Sequence, residues 1–195
     1  MKIVRYAALI LALAAFVPAT SYAIVDAGLY GGYSFSGKVD ASSVATGKTT
    51  TGWEYGAIAH LNFDFLAIFN VGIGAFYQNA PLKFDYAGET IKIDNVNIGP
   101  DVYLELDLPV IPIHPFVRGG VSAYNKTSID FPSSLPAKDV TAKKYFGSYY
   151  FGLGAALTIF PFIQIFGEYM YNYANQEKDV SLKTNAVHVG ARLNI

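Results

Sequence analysis

From Ala27 onward the sequence alternates with period two. Ala27, Leu29, Gly31, Tyr33 and Phe35 interleave with Gly28, Tyr30, Gly32, Ser34 and Ser36. Trp53, Tyr55, Ala57, Ala59, Leu61 and Phe63 interleave with Glu54, Gly56, Ile58, His60, Asn62 and Asp64. Successive side chains of a β-strand point to opposite faces, so the pattern specifies ribbons with one apolar face and one small or polar face. Eight such segments can be marked: Val25 to Ser36, Gly52 to Asp64, Ile68 to Asn79, Ile93 to Leu106, Pro115 to Asn125, Lys144 to Ile159, Phe162 to Ala174 and Leu182 to Ile195. One stretch admits a rival reading, because Tyr149 to Phe166 carries no charge and approaches the roughly 20 residues of a membrane helix. Gly152, Gly154, Pro161 and Gln164 interrupt it, and its halves alternate separately. Two strands joined at Phe160-Pro161 are therefore expected.

The connections also alternate in character. Gly37 to Thr51, Ala80 to Lys92, Lys126 to Lys143 and Asn175 to Ser181 are long and polar, whereas Phe65 to Ala67, Asp107 to His114 and Phe160-Pro161 are short or rich in proline. Pro109, Pro112 and Pro115 stiffen one of the short ends. Long and short connections thus fall at opposite ends of an up-and-down sheet. The N-terminus has the form of a secretory signal: Lys2 and Arg5, an apolar run from Tyr6 to Val17, and the small-x-small site Ser21-Tyr22-Ala23. Cleavage after Ala23 would leave a single domain over 24–195.

Which way the apolar face points decides the class of fold. A soluble barrel that holds a ligand inside would turn charge outward along its strands. Here only 15% of residues are charged against 52% hydrophobic, and a typical soluble domain carries about 25% charge. Lys38, Lys48, Lys83, Lys92, Lys126, Lys138, Lys143, Lys144, Lys178 and Lys183 all fall in connections or at segment ends. The polar face is rich in glycine, as at Gly28, Gly32, Gly72, Gly74, Gly99, Gly120, Gly152, Gly154 and Gly190, which suits a narrow, crowded interior. Tyr33, Phe35, Trp53, Tyr55, Tyr149, Tyr171 and Tyr173 gather towards the long connections, and Phe63, Phe69 and Phe162 towards the short ones. Two aromatic girdles flanking an apolar band match the two interfaces of a bilayer. The expected fold is all-β: an eight-stranded antiparallel up-and-down transmembrane β-barrel, closed because lipid offers no partner to a free sheet edge.

These features resemble the small outer-membrane barrels, the class of OmpX, the OmpA transmembrane domain and the OmpW-like proteins. The resemblance covers Ile24 to Ile195 and rests on the leader, the strand count, the loop alternation and the terminal segment Val187 to Ile195. Family members usually end in an aromatic residue, and this chain ends in Ile195. The resemblance implies the outer membrane of a diderm bacterium, contact with outer-membrane lipid or lipopolysaccharide, and delivery by the barrel-assembly machinery. A monomer is expected, with external loops free for a ligand and no role in nucleic-acid binding.

The inward face is expected to carry Asp26, Glu54, Asp101, Glu105, Arg118, Glu168, His188 and Arg192, with His60 nearer the periplasmic end. Charge enclosed in a narrow lumen needs partners. Counting outward from a turn near Ile111 sets Glu105 opposite Arg118, and closure brings Arg192 to Asp26. Five carboxylates outnumber two arginines, so the network leans acidic. Without cysteine there is no thiolate metal site or disulfide, and no cofactor motif is evident. An enzyme is not expected, since His60, His114 and His188 do not fall with a Ser and an acid at the external rim. Two roles remain: a structural or surface-interaction protein acting through its external loops, with the lumen filled by polar groups, or a narrow channel for small or apolar solutes of the OmpW-like kind.

Overall fold

The computed structural model describes residues 24–41, 45–65, 68–86, 88–107, 111–134, 139–160, 162–175 and 180–194. The leader expected over residues 1–23 lies outside them. Ten strands follow in order: β1 (Ile24–Ala41), β2 (Ala45–Phe65), β3 (Phe69–Tyr86), β4 (Glu89–Leu106), β5 (Ile113–Val121), β6 (Tyr124–Asp130), β7 (Val140–Lys144), β8 (Ser148–Phe160), β9 (Ile163–Asn175) and β10 (Val180–Asn194). They make eight arms. β5 and β6 are one arm interrupted at Ser122 and Ala123, and β7 and β8 another, interrupted where Phe146 adopts a φ of 55°. β4 divides its edge between the halves of the fifth arm, pairing Asp101 to Glu105 with β5 and Lys92 to Ile98 with β6.

All neighbours are antiparallel, and β10 returns to β1 in a ladder from Asp26 opposite Asn194 to Ala41 opposite Val180. The ring is closed, so every arm has a partner on both sides through the membrane. Both described termini sit at the same end. The segment 149–166 is strand on both sides of its turn and not helix.

The arms are longer than the eight alternating segments. Two of the four segments that read as long polar connections are largely strand: β1 and β2 pair as far as Ala41 opposite Ala45, and β3 and β4 as far as Tyr86 opposite Glu89, next to Gly88 at φ 84°. The alternation persists there with its sense reversed. Val39, Leu82, Phe84, Ile91, Ile93, Ile129, Val180 and Leu182 point inward and pack into a dry cluster. Lys38, Lys83, Lys92 and Lys183 are exposed on the outer face. Beyond the hydrocarbon the outer face meets water, so the arrangement of a soluble sheet returns, each buried Leu or Ile contributing about 1.5–3 kcal/mol. In β1 the reversal is made by a bulge between Ser34 and Ser36. Asp26, Tyr30 and Ser34 face inward below it, and Gly37 and Val39 above it. A single extra residue exchanges the two faces.

Within the membrane zone the outer face is apolar, with Leu29, Leu61, Val102, Leu104, Leu153 and Val189 exposed on it. Tyr33 packs edge-on against Trp53 with ring centroids 5.3 Å apart, and Tyr149 lies tilted against Tyr173 at 5.2 Å. Phe160 and Phe162 stack at the opposite end. These cross-strand aromatic pairs form the two girdles.

Candidate functional site

Among the described residues, buried charged side chains converge in the interior, which is filled by layers of three kinds. Each inward position on β4 samples one of them: Ile91 and Ile93 in the dry outer cluster, Asn95 and Asn97 below it, then Asp101, Tyr103 and Glu105.

The lowest layer is built on Arg192 and His60. Arg192 forms an ion pair with Glu105 and donates from Nε to Gln164 Oε1 at 2.5 Å, while its Nη1 lies 3.9 Å from Asp26 Oδ2. Its guanidinium covers the Tyr103 ring at 5.0 Å. His60 bridges two carboxylates, with Nδ1 at 2.9 Å from Asp26 and Nε2 at 3.1 Å from Asp101. Tyr103 donates to Asp26 at 2.9 Å and Tyr150 to Asp101 at 2.6 Å.

The middle layer repeats the design. Arg118 holds Glu168 through two bonds, Nε to Oε2 at 2.8 Å and Nη2 to Oε1 at 2.5 Å. His188 bridges Glu168 at 3.1 Å and Glu54 at 2.9 Å. Arg118 also lies over the rings of Tyr30 and Tyr150, and its Nη1 reaches to 3.9 Å from Asp101, linking the two layers. Each imidazole nitrogen faces a carboxylate oxygen, and such a contact needs a proton in it. Every bridge therefore holds two protons shared between the ring and its two acids.

Above them, Gln78 connects charge to amide. It donates to Glu54 at 3.0 Å and accepts from Asn97 at 3.2 Å. Asn97 Oδ1 in turn accepts from Ser122, Ser148 and Asn125. The chain of polar contacts ends at the dry cluster.

The site residues named from sequence all face the lumen, though not all in the pairs expected. Glu105 is opposite Phe116, and Arg118 is opposite Tyr103. The turn is centred nearer the N-terminus than Ile111, so Arg118 reaches over Gly152 of β8 to Glu168, and Glu105 meets Arg192 instead. Asp26 and Arg192 do come together where β1 meets β10. His114 belongs to β5, with Nδ1 at 3.1 Å from the exposed Asp107 and Nε2 at 3.0 Å from Thr158.

Sequence reading missed the tyrosines and amides of the interior. The signal was present: Tyr103 lies two residues from both Asp101 and Glu105, and Tyr30 four from Asp26, so each shares their face. The rings lie where the facing strand has glycine, Tyr103 on Gly72, Tyr30 on Gly56, Tyr150 on Gly120 and Phe166 on Gly190.

Little space remains. The cavity beside Gln78, Asn97 and Ser148 and the one beside His60, Tyr103, Arg118 and Arg192 measure about 10 Å³ each, close to the least that admits one water. Neither His60 nor His188 presents its ring to solvent, the side chains being 0% exposed.

Residues 7–194 match the family described as outer membrane protein beta-barrel domain. Comparison with curated proteins gives no sequence match. Among solved structures, Neisserial surface protein A superposes with a TM-score of 0.62 at 15% identity, covering 88% of this chain and 97% of its own. OprG from Pseudomonas aeruginosa aligns at TM-score 0.49 and 11% identity, over 89% of this chain and 97% of its own. Ail of Yersinia pestis aligns at 0.46 and 15%, over 86% and 97%. The closed ring, the lipid-facing apolar band and the match over almost the whole sequence agree: this chain belongs to the outer membrane protein β-barrel domain family, whose place is the bacterial outer membrane.

Proposed function

We propose that the protein works at the cell surface as a closed barrel, with its outer extension as the functional face. The lumen serves as the rivet that holds that face in place. The observation that carries this reading is the stacking of three unlike layers across one lumen. Ion-paired groups, then amides, then a dry cluster follow one another with cavities of about 10 Å³. A hydrated ion crossing it would have to break charge-assisted bonds and then enter a segment without hydrogen-bonding partners.

The outer extension supplies a surface for recognition. The fifth and sixth arms carry Lys126, Asp130, Lys143 and Lys144 with Tyr124 and the exposed Tyr145 and Phe146, a mixture of charge and aromatic surface of the kind that binding faces use. This role also needs no catalysis. The enclosed imidazoles offer no general base to a substrate, because a base must reach the proton it removes.

Planar-bilayer recording of refolded protein separates this role from passage of small or apolar solutes. Silence is expected over the voltages that open small porins. Discrete, reproducible openings would overturn the closed-barrel reading in favour of a narrow channel.

A further inference from the structure

Of the three histidines, His60 and His188 are enclosed in the lumen, and His114 lies apart from both at the end of the barrel that carries the short turns. Its Nε2 is 3.0 Å from Thr158 Oγ1, and its Nδ1 is 3.1 Å from Asp107 Oδ1. Gln164 completes the group, donating from Nε2 to Thr158 Oγ1 at 3.1 Å. The proton positions follow from these contacts. Gln164 Oε1 accepts from Arg192 Nε, which turns the amide nitrogen towards Thr158. Thr158 Oγ1 therefore receives one hydrogen and has its own to give, and His114 Nε2 is the acceptor beside it. That leaves the ring hydrogen on Nδ1, the side of Asp107. Nδ1 makes no hydrogen bond, because Asp107 Oδ1 is close but out of line. His114 is buried, whereas the Asp107 side chain is 59% exposed and can turn into line. A hydroxyl bonded to an imidazole whose other nitrogen faces a carboxylate is the arrangement that activates an alcohol as a nucleophile.

Beside this group the wall of the barrel parts. Pairing of β4 with β5 ends at Glu105 opposite Phe116, so Leu106 and Asp107 separate from Pro115 and His114. An apolar groove of about 180 Å³ runs there along Leu104, Leu106, Pro115 and Val117. Phe116 lines both this groove and the cavity beside Arg118 and Arg192 within the barrel. Groove and polar group share the gap, since Leu106 precedes Asp107 and Pro115 follows His114. Phe160, two residues past Thr158, stacks on Phe162 in the aromatic girdle of this end. The site thus joins an apolar slot at the bilayer interface to a hydroxyl with a base in contact.

We propose that Thr158, His114 and Gln164 form a hydrolytic site for carboxylic esters of acyl chains, with the chain in the groove and the ester carbonyl at the gap. Thr158 Oγ1 bonds to the carbonyl carbon, its proton passes to His114 Nε2, and Gln164 Nε2 donates to the carbonyl oxygen as charge gathers on it. His114 gives the proton to the departing alcohol as the ester C–O bond breaks. Water then attacks the acyl-Thr158 ester and yields a proton to His114, which returns it to Thr158 Oγ1 as the carboxylic acid leaves. Asp107 acts through His114 as a positioning residue, holding Nδ1–H. The site is separate from the lumen network and is independent of whether the lumen conducts.

The test is hydrolysis of 4-nitrophenyl acetate and 4-nitrophenyl decanoate by the full mature barrel refolded in detergent micelles. Each variant is compared at equal folded fraction, read from heat-dependent gel mobility. The parent is expected to release nitrophenol from both esters, with the higher kcat/KM on decanoate. Thr158→Val and His114→Gln should lose roughly 100-fold or more, and Thr158→Ser should keep the activity. Asp107→Asn should lower kcat with KM unchanged and move the acid limb of the pH profile to lower pH, because the imidazole loses its anionic neighbour. Leu106→Trp, which fills the groove, should erase the preference for decanoate. Parent turnover no faster than that of Thr158→Val would overturn the proposal, as would the parental rate in His114→Gln. Equal kcat/KM for the two esters in the parent would overturn the assignment of the groove to an acyl chain.

Discussion

Arg118 and Glu168 grip one another across a strand that separates them. Arg118 is opposite Gly152, and the pair closes over that glycine through bonds of 2.8 and 2.5 Å. A Cβ at residue 152 would stand 3.1 Å from Glu168 Oε2 and 3.4 Å from Arg118 Cγ. The glycine therefore clears the path for a contact between non-adjacent arms.

Removing one partner of this buried pair leaves an uncompensated charge, at a cost of about 3–5 kcal/mol. Arg118→Met is expected to lower the unfolding midpoint in urea accordingly, followed by the fluorescence of Trp53, the single tryptophan. Arg118→Met combined with Glu168→Gln should regain part of the loss. If the double variant is worse than the single by the full additive amount, the two groups are not coupled.

Gly72 lies under the Tyr103 ring. Gly72→Ala is expected to displace that ring and its bond to Asp26, costing about 1–3 kcal/mol in the same assay. Gly31 provides the control: a Cβ there meets only Glu54 O, at 3.8 Å. Gly31→Ala should be nearly neutral, and equal effects at both positions would dismiss the ring as the reason.

The dry outer cluster should behave as a separate layer. Leu82 and Ile93 are 1% exposed, and truncating either to Ala in a packed core costs about 2–5 kcal/mol. Trypsin cleavage near Lys83 and Lys92 should accelerate several-fold in Leu82→Ala, while amides of the lipid-embedded strands keep their protection from hydrogen exchange. Uniform loosening of the whole barrel would show that the cluster is not a local unit.

The membrane zone of the fold was readable because lipid imposes one rule on all eight arms. Trp53 to Phe63 against Glu54 to Asp64 identifies strand, face and environment together. The outer extension was hidden by the same rule, since Leu82-Lys83-Phe84-Asp85 and Ile91-Lys92-Ile93-Asp94 alternate correctly but in the sense appropriate to water. The bulge at Ser34 and Ser36 that exchanges the faces of β1 has no distinctive residue type. For the site, composition and parity placed the charges inside, but partners depend on register. A turn centred nearer the N-terminus moved Arg118 from Glu105 to Glu168.

The central claim is that one barrel changes its sense along its length, apolar outside in the bilayer and polar outside beyond it. The chain has no cysteine, so single cysteines can be introduced along β4 at the outward positions Leu104, Val102, Ile98, Asp94 and Lys92 and spin-labelled after refolding into vesicles. Relaxation by oxygen should dominate at Leu104, Val102 and Ile98, and relaxation by a water-soluble nickel chelate at Asp94 and Lys92. Chelate access at Val102 equal to that at Lys92 would contradict the account.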